Sequence, residues 1–558
     1  MMSRQQIVVL AAVLGAATLC YGQHAKLSPD LESRDPEALV NVIVQYKQSP
    51  QERHIDAVLR RGGKHLRTLN VVKGAVYSIA AKELADLAND PDVAYISPDR
   101  PIKASSISWP NTSTNLSQDY KLQAVGADTA ILNGYYGTGV GVAIIDSGIT
   151  NKQDLHGSYL LNQTNQSRIV HSENILNPGG STDDTYGHGT HVAGIVAGNG
   201  NQSNLVYVGV APNANLINLV ALDNIGTSSD SVVIAAIQRA IQLSNQYNIQ
   251  VINLSLGRPI FESYTQDPLC QAVEAAWQAG IVVVVAAGND GRDNSANTDG
   301  YGTITAPGND PFVITVGAMN TENTLSTSDD RIASYSSKGP TLLDHIVKPD
   351  LVAPGNLIVS VLGDGTLPVL YPQNVTDQNY FILSGTSMAT PMVSGAVALL
   401  MQQNPNLTPD QVKARLMLTA SKNFPVSSVA TDLTTGTSYT SYYDIFTVGA
   451  GYMNVWAALS SSTTPNGTAL SPVASYRPGS GTVSISDIAG QSVIWGTNSV
   501  WSNSVIWGTS LVSGNSVIWG TSVIWGTSAP ASLSVIWGTS VIWGTSVPDS
   551  TIVVDGDQ

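Results

Sequence analysis

The sequence predicts an α/β fold with a mostly parallel central sheet, preceded by a small α+β domain and followed by a tryptophan-rich β-repeat tail. Three observations carry this expectation. Across residues 122–459, nearly continuous apolar runs alternate with amphipathic helical stretches, the pattern of strands buried on both faces between helical layers. Before them, residues 38–103 carry shorter runs of mixed period. After them, Val-Ile-Trp-Gly-Thr occurs six times within residues 491–547.

Residues 1–22 have the layout of an export signal. Arg4 supplies a positive start, Ile7 to Leu19 form a 13-residue apolar stretch, and Gly22 is a small residue suited to cleavage. Such a stretch is shorter than the roughly 20 residues of a spanning helix. Cys20 adds a lipoprotein alternative, against which stands the bulky Leu19 before it. Removal of the signal leaves Cys270 as the single thiol, so no internal disulfide can form. The pattern Leu269, Ala272, Ala275, Ala276 around Cys270 marks it as a core residue.

In the 38–103 domain, Leu39–Tyr46, 51–61, 69–79, 82–87 and 93–96 read as a β-α-β-β-α-β unit. A loose polar stretch from Ala104 to Gln118 follows, suited to cleavage. In the 122–459 domain the expected strands are 140–145, 216–221, 251–256, 281–287 and 312–316, with helices over 231–243 and 269–278. Reacting groups in such sheets collect at the carboxyl ends of the strands. Residues 461–490 form a Ser/Thr/Pro/Gly-rich linker. In the tail, Trp495, Trp501, Trp507, Trp519, Trp525, Trp537 and Trp543 keep one six-residue register, with Ser513 and Ala531 in the two vacant places. An even spacing puts every Trp on one strand face, an apolar stripe that is buried or used to contact a cell surface or another protein. A low-complexity spacer is the alternative.

Composition narrows the function. With 43% hydrophobic and 12% charged residues the chain has ample core material, and a net charge of −15 disfavours nucleic acid as a partner.

A serine-based amide hydrolase needs a nucleophile, a base, an acid that orients the base, and donors for an oxyanion. Asp146 ends a buried apolar run in Ile144-Ile145-Asp146-Ser147-Gly148; alone, Asp-Ser-Gly also fits a turn or half of an aspartic-peptidase pair. His188 stands in Gly187-His188-Gly189-Thr190-His191, where flanking glycines allow close backbone approach. His191 lies on roughly the same helical face, so zinc is a second reading, although no further ligand motif accompanies the pair. Ser387 opens a helical pattern in Gly385-Thr386-Ser387-Met388-Ala389-Thr390-Pro391, where free N–H groups and the helix dipole favour developing negative charge. Read alone, Ser387 is a plain N-cap. Asn289 follows the run 282–288 and offers an amide donor.

The chain order Asp, His, Ser and the three motifs around them resemble the subtilisin (subtilase) family of serine peptidases, over roughly 122–459. Ala286-Ala287-Gly288-Asn289 and Lys348-Pro349-Asp350-Leu351 extend the likeness. Sedolisins share the Gly-Thr-Ser element but carry Glu where this chain has His188. The resemblance implies an Asp146–His188–Ser387 triad that forms an acyl-enzyme on polypeptide substrates, with no cofactor for catalysis. It also implies that Ser255, Leu256 and Gly257 with Ala286, Ala287 and Gly288 flank the primary side-chain pocket, with Thr305 near its floor. No acidic residue is placed there to select Lys or Arg, so an apolar or medium-sized residue is the expected preference. Residues 38–103 resemble the family's inhibitory propeptide, released near Lys103–Ser105. A structural calcium is implied at Asp154, with Asn201 in the polar loop 200–204. Secretion, free or to the periplasm or cell surface, is the expected localisation. A non-catalytic adhesin on the same fold is the competing reading, opposed by the intact set Asp146, His188, Asn289 and Ser387.

Overall fold

The computed structural model describes residues 25–31, 34–105, 120–159, 166–432, 435–464, 467–477, 482–486 and 488. The signal-like segment 1–22 and the repeat tail lie outside the described residues, as does part of the linker. Two compact units are present, one through Asp99 and one from Arg100 onward.

The first unit has the expected element order: β1 (Leu39–Tyr46), α1 (Glu52–Arg60), β2 (Lys64–Leu69), β3 (Gly74–Ala80), α2 (Leu84–Ala88) and β4 (Val93–Pro98). The sheet runs β2-β3-β1-β4, with β1 pairing antiparallel to both β3 and β4. Its core gathers Val42 and Val44 with Val58, Tyr77, Ile79, Leu87 and Ile96. The expected run 69–79 is in fact two pieces. β2 ends at Leu69, a short 3₁₀ turn spans Asn70–Val72, and Lys73 sits in the left-handed region before β3. Strand β2 was hidden because Lys64, His65 and Arg67 make it polar; it lies at the sheet edge, where polar residues are tolerated.

The second unit is built on β6 (Gly141–Asp146), β7 (Ile169–Asn174), β8 (Asn215–Val220), β10 (Ile249–Leu254), β12 (Val282–Ala286), β13 (Ile314–Asn320), β14 (Arg331–Ile332) and β15 (Leu351–Pro354). They are ordered β14-β13-β12-β10-β6-β8-β7, with β15 beside β13, and all pairs but β13–β14 are parallel. All residues of β6 and β12 are buried, in keeping with apolar sequences interrupted only by Asp146 at the end of β6. Helices α3 (His188–Ala197), α4 (Asp230–Tyr247), α5 (Pro268–Gln278) and α6 (Thr386–Gln403) pack on the sheet. Every residue of α6 from Thr386 to Met401 is buried. Among the described residues no helix is long and apolar enough to cross a membrane.

Two short strands, β9 (Thr227–Ser229) and β11 (Leu256–Gly257), flank a third, β5 (Pro101–Ala104), in an antiparallel sheet of their own. Composition suggested a domain boundary at 103. The contacts place residues 100–105 with the second unit instead, because the backbone of β5 is hydrogen-bonded on both edges there. No local sequence signal reports that pairing.

Candidate active site

Three chain segments end at one place. Asp146 is the last residue of β6, His188 the first of α3, and Ser387 the second of α6. The Asp146 Oδ1 oxygen accepts from His188 Nδ1 at 2.8 Å and from the Ser147 N–H at 2.8 Å, with the Asp146 and His188 side chains fully buried. A carboxylate facing Nδ1 holds the proton on that nitrogen, which leaves Nε2 as the basic lone pair. No described residue hydrogen-bonds to the buried His188 Nε2. Gly189 lets the helix start this close: a Cβ there would lie 2.2 Å from the Gly148 carbonyl oxygen.

Ser387 Oγ donates to the Ser255 carbonyl at 2.9 Å and makes no hydrogen bond to His188. The main-chain N–H of Ser387 points to the Ser105 carbonyl oxygen at 3.3 Å, and Asn289 Nδ2 donates to the same oxygen at 2.6 Å. Asn289 is held in this sense because its Oδ1 accepts from the Thr386 N–H at 2.9 Å and from the Thr386 hydroxyl at 3.0 Å. Two donors therefore converge on one carbonyl at a helix N-terminus, the geometry that favours an oxyanion. The predicted donors Asn289 and Ser387 are thus brought together on a carbonyl of the chain itself.

The segment carrying that carbonyl is extended. Leu256 and Gly257 pair with Ala104 and Lys103, while Thr227, Ser228 and Ser229 pair with Lys103, Ile102 and Pro101. The Ser105 N–H donates to the Ser255 carbonyl at 3.1 Å. Of the two predicted walls, 255–257 makes these strand contacts. The 286–288 wall instead bonds Thr305, whose N–H donates to the Ala287 carbonyl at 3.0 Å. Thr305 lies between the walls: a Cβ on Gly257 would stand 2.6 Å from Thr305 Oγ1, and one on Gly288 2.8 Å from Thr305 Cγ2.

Several contributors escaped the sequence reading. Asp184 accepts from the N–H groups of Gly187 and Thr190 at 2.7 and 2.8 Å and from the hydroxyls of Thr190 and Ser147 at 2.7 and 2.8 Å, which fixes the start of α3. Burial pushes its carboxyl above the usual range. Asp184 stands four residues before the helix start, outside the N-cap position held by Gly187, so local capping rules do not single it out. Strand β9 was not legible, since Thr227–Ser229 is too short and polar to read as a strand.

His191 serves the scaffold. Its Nε2 donates to the carbonyls of Phe381 and Ile358 at 2.9 and 3.1 Å, and burial drops its pKa to about 3. One nitrogen of each histidine is already engaged, by Asp146 or by the two carbonyls, and no group of three or more His, Cys, Asp or Glu that could hold a metal occurs among the described residues. The calcium expectation meets a similar geometry. Asp154 Oδ1 accepts from the Gln202 N–H at 2.8 Å and Oδ2 from the Tyr380 hydroxyl, while the Asn201 N–H also faces the carboxylate. These donors converge on the carboxylate itself, and a calcium cage needs oxygens converging on a cation, so Asp154 and Asn201 as arranged do not fit the ion. Cys270 is buried as expected, with its thiol directed at Asn309 Oδ1 at 3.3 Å.

A parallel sheet that brings a buried Asp–His pair, a helix-initial serine and two converging amide donors to its carboxyl edge is the framework of an α/β serine hydrolase. The subtilase family model matches residues 137–449. Serine protease AprX of Bacillus subtilis (strain 168) is 41% identical over 307 residues, covering 53% of this chain and 65% of that protein. Subtilisin E of the same organism is 36% identical over 365 residues, 65% of this chain and 80% of that one. The Extracellular serine proteinase of Thermus sp. (strain Rt41A) is 33% identical over 421 residues, 74% and 86%. In fold, the chain is similar to fervidolysin from Fervidobacterium pennivorans, a keratinolytic enzyme related to subtilisin (TM-score 0.58, 24% identity, 79% of this chain and 63% of that one). This chain spans less than two thirds of AprX and of fervidolysin. It belongs to the subtilase family of serine endopeptidases.

Proposed function

We propose that the chain is an exported endopeptidase made as a precursor that cuts itself between Ser105 and Ser106. The observation carrying this reading is the Ser105 carbonyl oxygen lying between Asn289 Nδ2 and the Ser387 N–H. A substrate carbonyl occupies that position when its carbon faces the nucleophile.

The steps follow from the donors and acceptors present. Ser387 Oγ turns from the Ser255 carbonyl and bonds to the Ser105 carbonyl carbon as His188 Nε2 takes its proton. Asp146 keeps His188 in the tautomer that can do so and sits beside the imidazolium that forms. The carbonyl oxygen becomes an oxyanion held by Asn289 and the Ser387 N–H. The Ser105–Ser106 bond then breaks, and His188 returns the proton to the amine of Ser106. Water hydrolyses the acyl-enzyme by the reverse proton path, which leaves Ser105 with a free carboxylate.

Other polypeptides enter the cleft in the same extended form, adding a strand between β9 and β11. Thr305 between the pocket walls supports a small residue, such as serine or alanine, just before the cut bond, smaller than the apolar or medium-sized residue expected from sequence. Residues 38–98 serve as the inhibitory propeptide domain, with residues 100–105 as its substrate-like end. Residues 1–22 direct export, a reading supported by the extracellular Thermus relative.

The test is expression of the full chain and of Ser387→Ala. The unaltered chain yields a product whose N-terminus is Ser106, and Ser387→Ala remains a precursor, with turnover lowered on the order of 10⁶-fold, a size carried over from a subtilisin. Release at a different bond, or normal maturation of the variant, refutes the reading.

A further inference from the structure

The amino end of the same segment is held by a different chemistry. Arg100 presents its guanidinium fork to Glu262, with 2.7 Å from Nη1 to Oε1 and 3.1 Å from Nη2 to Oε2. The two side chains are only 3% and 1% exposed. The guanidinium carbon also lies 4.9 Å from the ring centroid of Phe261, and the Arg100 carbonyl accepts from the Asp230 N–H at 2.9 Å. Counting back from Ser105, Arg100 is the sixth residue before the proposed cut.

The setting of Glu262 is built rather than incidental. Behind it, Arg258 is fully buried and fixed by Asp230 at 2.8 Å and by both oxygens of Asp267 at 2.8 Å. Burial lifts the Asp230 carboxyl well above the usual carboxylate range, so Asp267 is the main counter-charge of Arg258. Glu262 adds a further buried carboxylate to this wall, and Arg100 pairs with it. A buried carboxylate without a cation partner is strongly disfavoured, so this wall is shaped for a positive group. Bidentate geometry and an aromatic face select a guanidinium over the point charge of an ammonium.

We infer that Glu262 and Phe261 form an arginine-binding subsite of the peptidase, which recognises an arginine six residues before the bond to be cut. The inference rests on the reading of residues 100–105 as a bound substrate. In the precursor, Arg100 fills the subsite and sets the register that places Ser105 at Asn289. In peptide substrates the same subsite selects chains with arginine at that position, and Glu262 is a specificity residue remote from the reacting atoms.

Two fluorogenic hexapeptide amides test this: Arg-Pro-Ile-Lys-Ala-Ser, the sequence of residues 100–105, and its counterpart with alanine first. With peptidase obtained by expressing the full chain, the arginine peptide is expected to have about tenfold or higher kcat/KM, mainly through KM. A lysine-first peptide falls between the two. The ratio drops to about one in Glu262→Gln. Should that variant fail to fold, the peptide pair on the unaltered enzyme still decides. Cleavage of both peptides after serine with a ratio near one overturns the arginine subsite and leaves the Ser105–Ser106 reading intact. Cleavage of neither overturns both.

Discussion

The two ends of residues 100–105 are gripped in opposite ways. At Ser105 the contacts are neutral and made to the main chain: two amide N–H groups on one carbonyl, and one carbonyl receiving the Ser105 N–H. At Arg100 the principal grip is a buried ion pair between side chains. Donors to a main-chain carbonyl accept any sequence and improve as negative charge develops on the oxygen, so they suit chemistry. A desolvated guanidinium–carboxylate fork accepts one residue type and does not change during reaction, so it suits recognition. Chemistry and selection are thus separated along one extended strand.

The sharpest way to break the comparison is at the neutral end. Asn289→Ala removes one of the two donors, and kcat on a peptide amide should fall by about 10²–10³, a range established for the equivalent donor in a subtilisin. KM should change little, since the donor matters most in the transition state. A loss below tenfold would mean that the carbonyl in the reacting state lies elsewhere. Thr305→Gly sharpens the contrast by enlarging the space between the 255–257 and 286–288 walls, the pocket proposed for the residue just before the cut bond. The kcat/KM ratio for phenylalanine over serine before the cut should rise by about tenfold or more, while the preference for arginine at the far end stays. An unchanged ratio would remove Thr305 from specificity.

The smallest effect concerns the scaffold and is a stability effect. His191 is neutral in the folded protein because burial lowers its pKa to about 3, whereas the unfolded chain takes up a proton near the ordinary histidine value of about 6.5. Its contribution is complete above that value and is lost as the pH falls toward 3, by at most about 1.4 kcal/mol per pH unit crossed. His191→Gln, which keeps a donor for the Phe381 and Ile358 carbonyls but does not titrate, should flatten the decline of Tm between pH 6.5 and 4. An equally steep decline would place the acid sensitivity in other groups.

Much of the framework was legible because it is local. Apolar runs such as 282–286 and 141–145 are strands wherever both faces are buried, and α4 and α5 follow from the spacing of their apolar residues. Edge pieces were not: β2 and β9 are short and polar, and they pair only because neighbouring backbone offers free edges. The calcium expectation at Asp154 illustrates another limit. A carboxylate at a fitting place in the sequence does not reveal whether it faces a cation or, as here, the Tyr380 hydroxyl and two backbone N–H groups.

By itself the sequence determined the α/β class, the order Asp146, His188, Ser387, and the local settings of those residues: a strand end and two helix starts. These depend on hydrophobic period and on capping within a few residues. Only the tertiary structure decided what meets them. Asn289 and Ser105 are 184 residues apart, and Arg100 and Glu262 are 162 apart. Contacts of that span come from how sheet and loops close around the core, since hydrogen-bond donors and charges carry no local mark of the partner they will find.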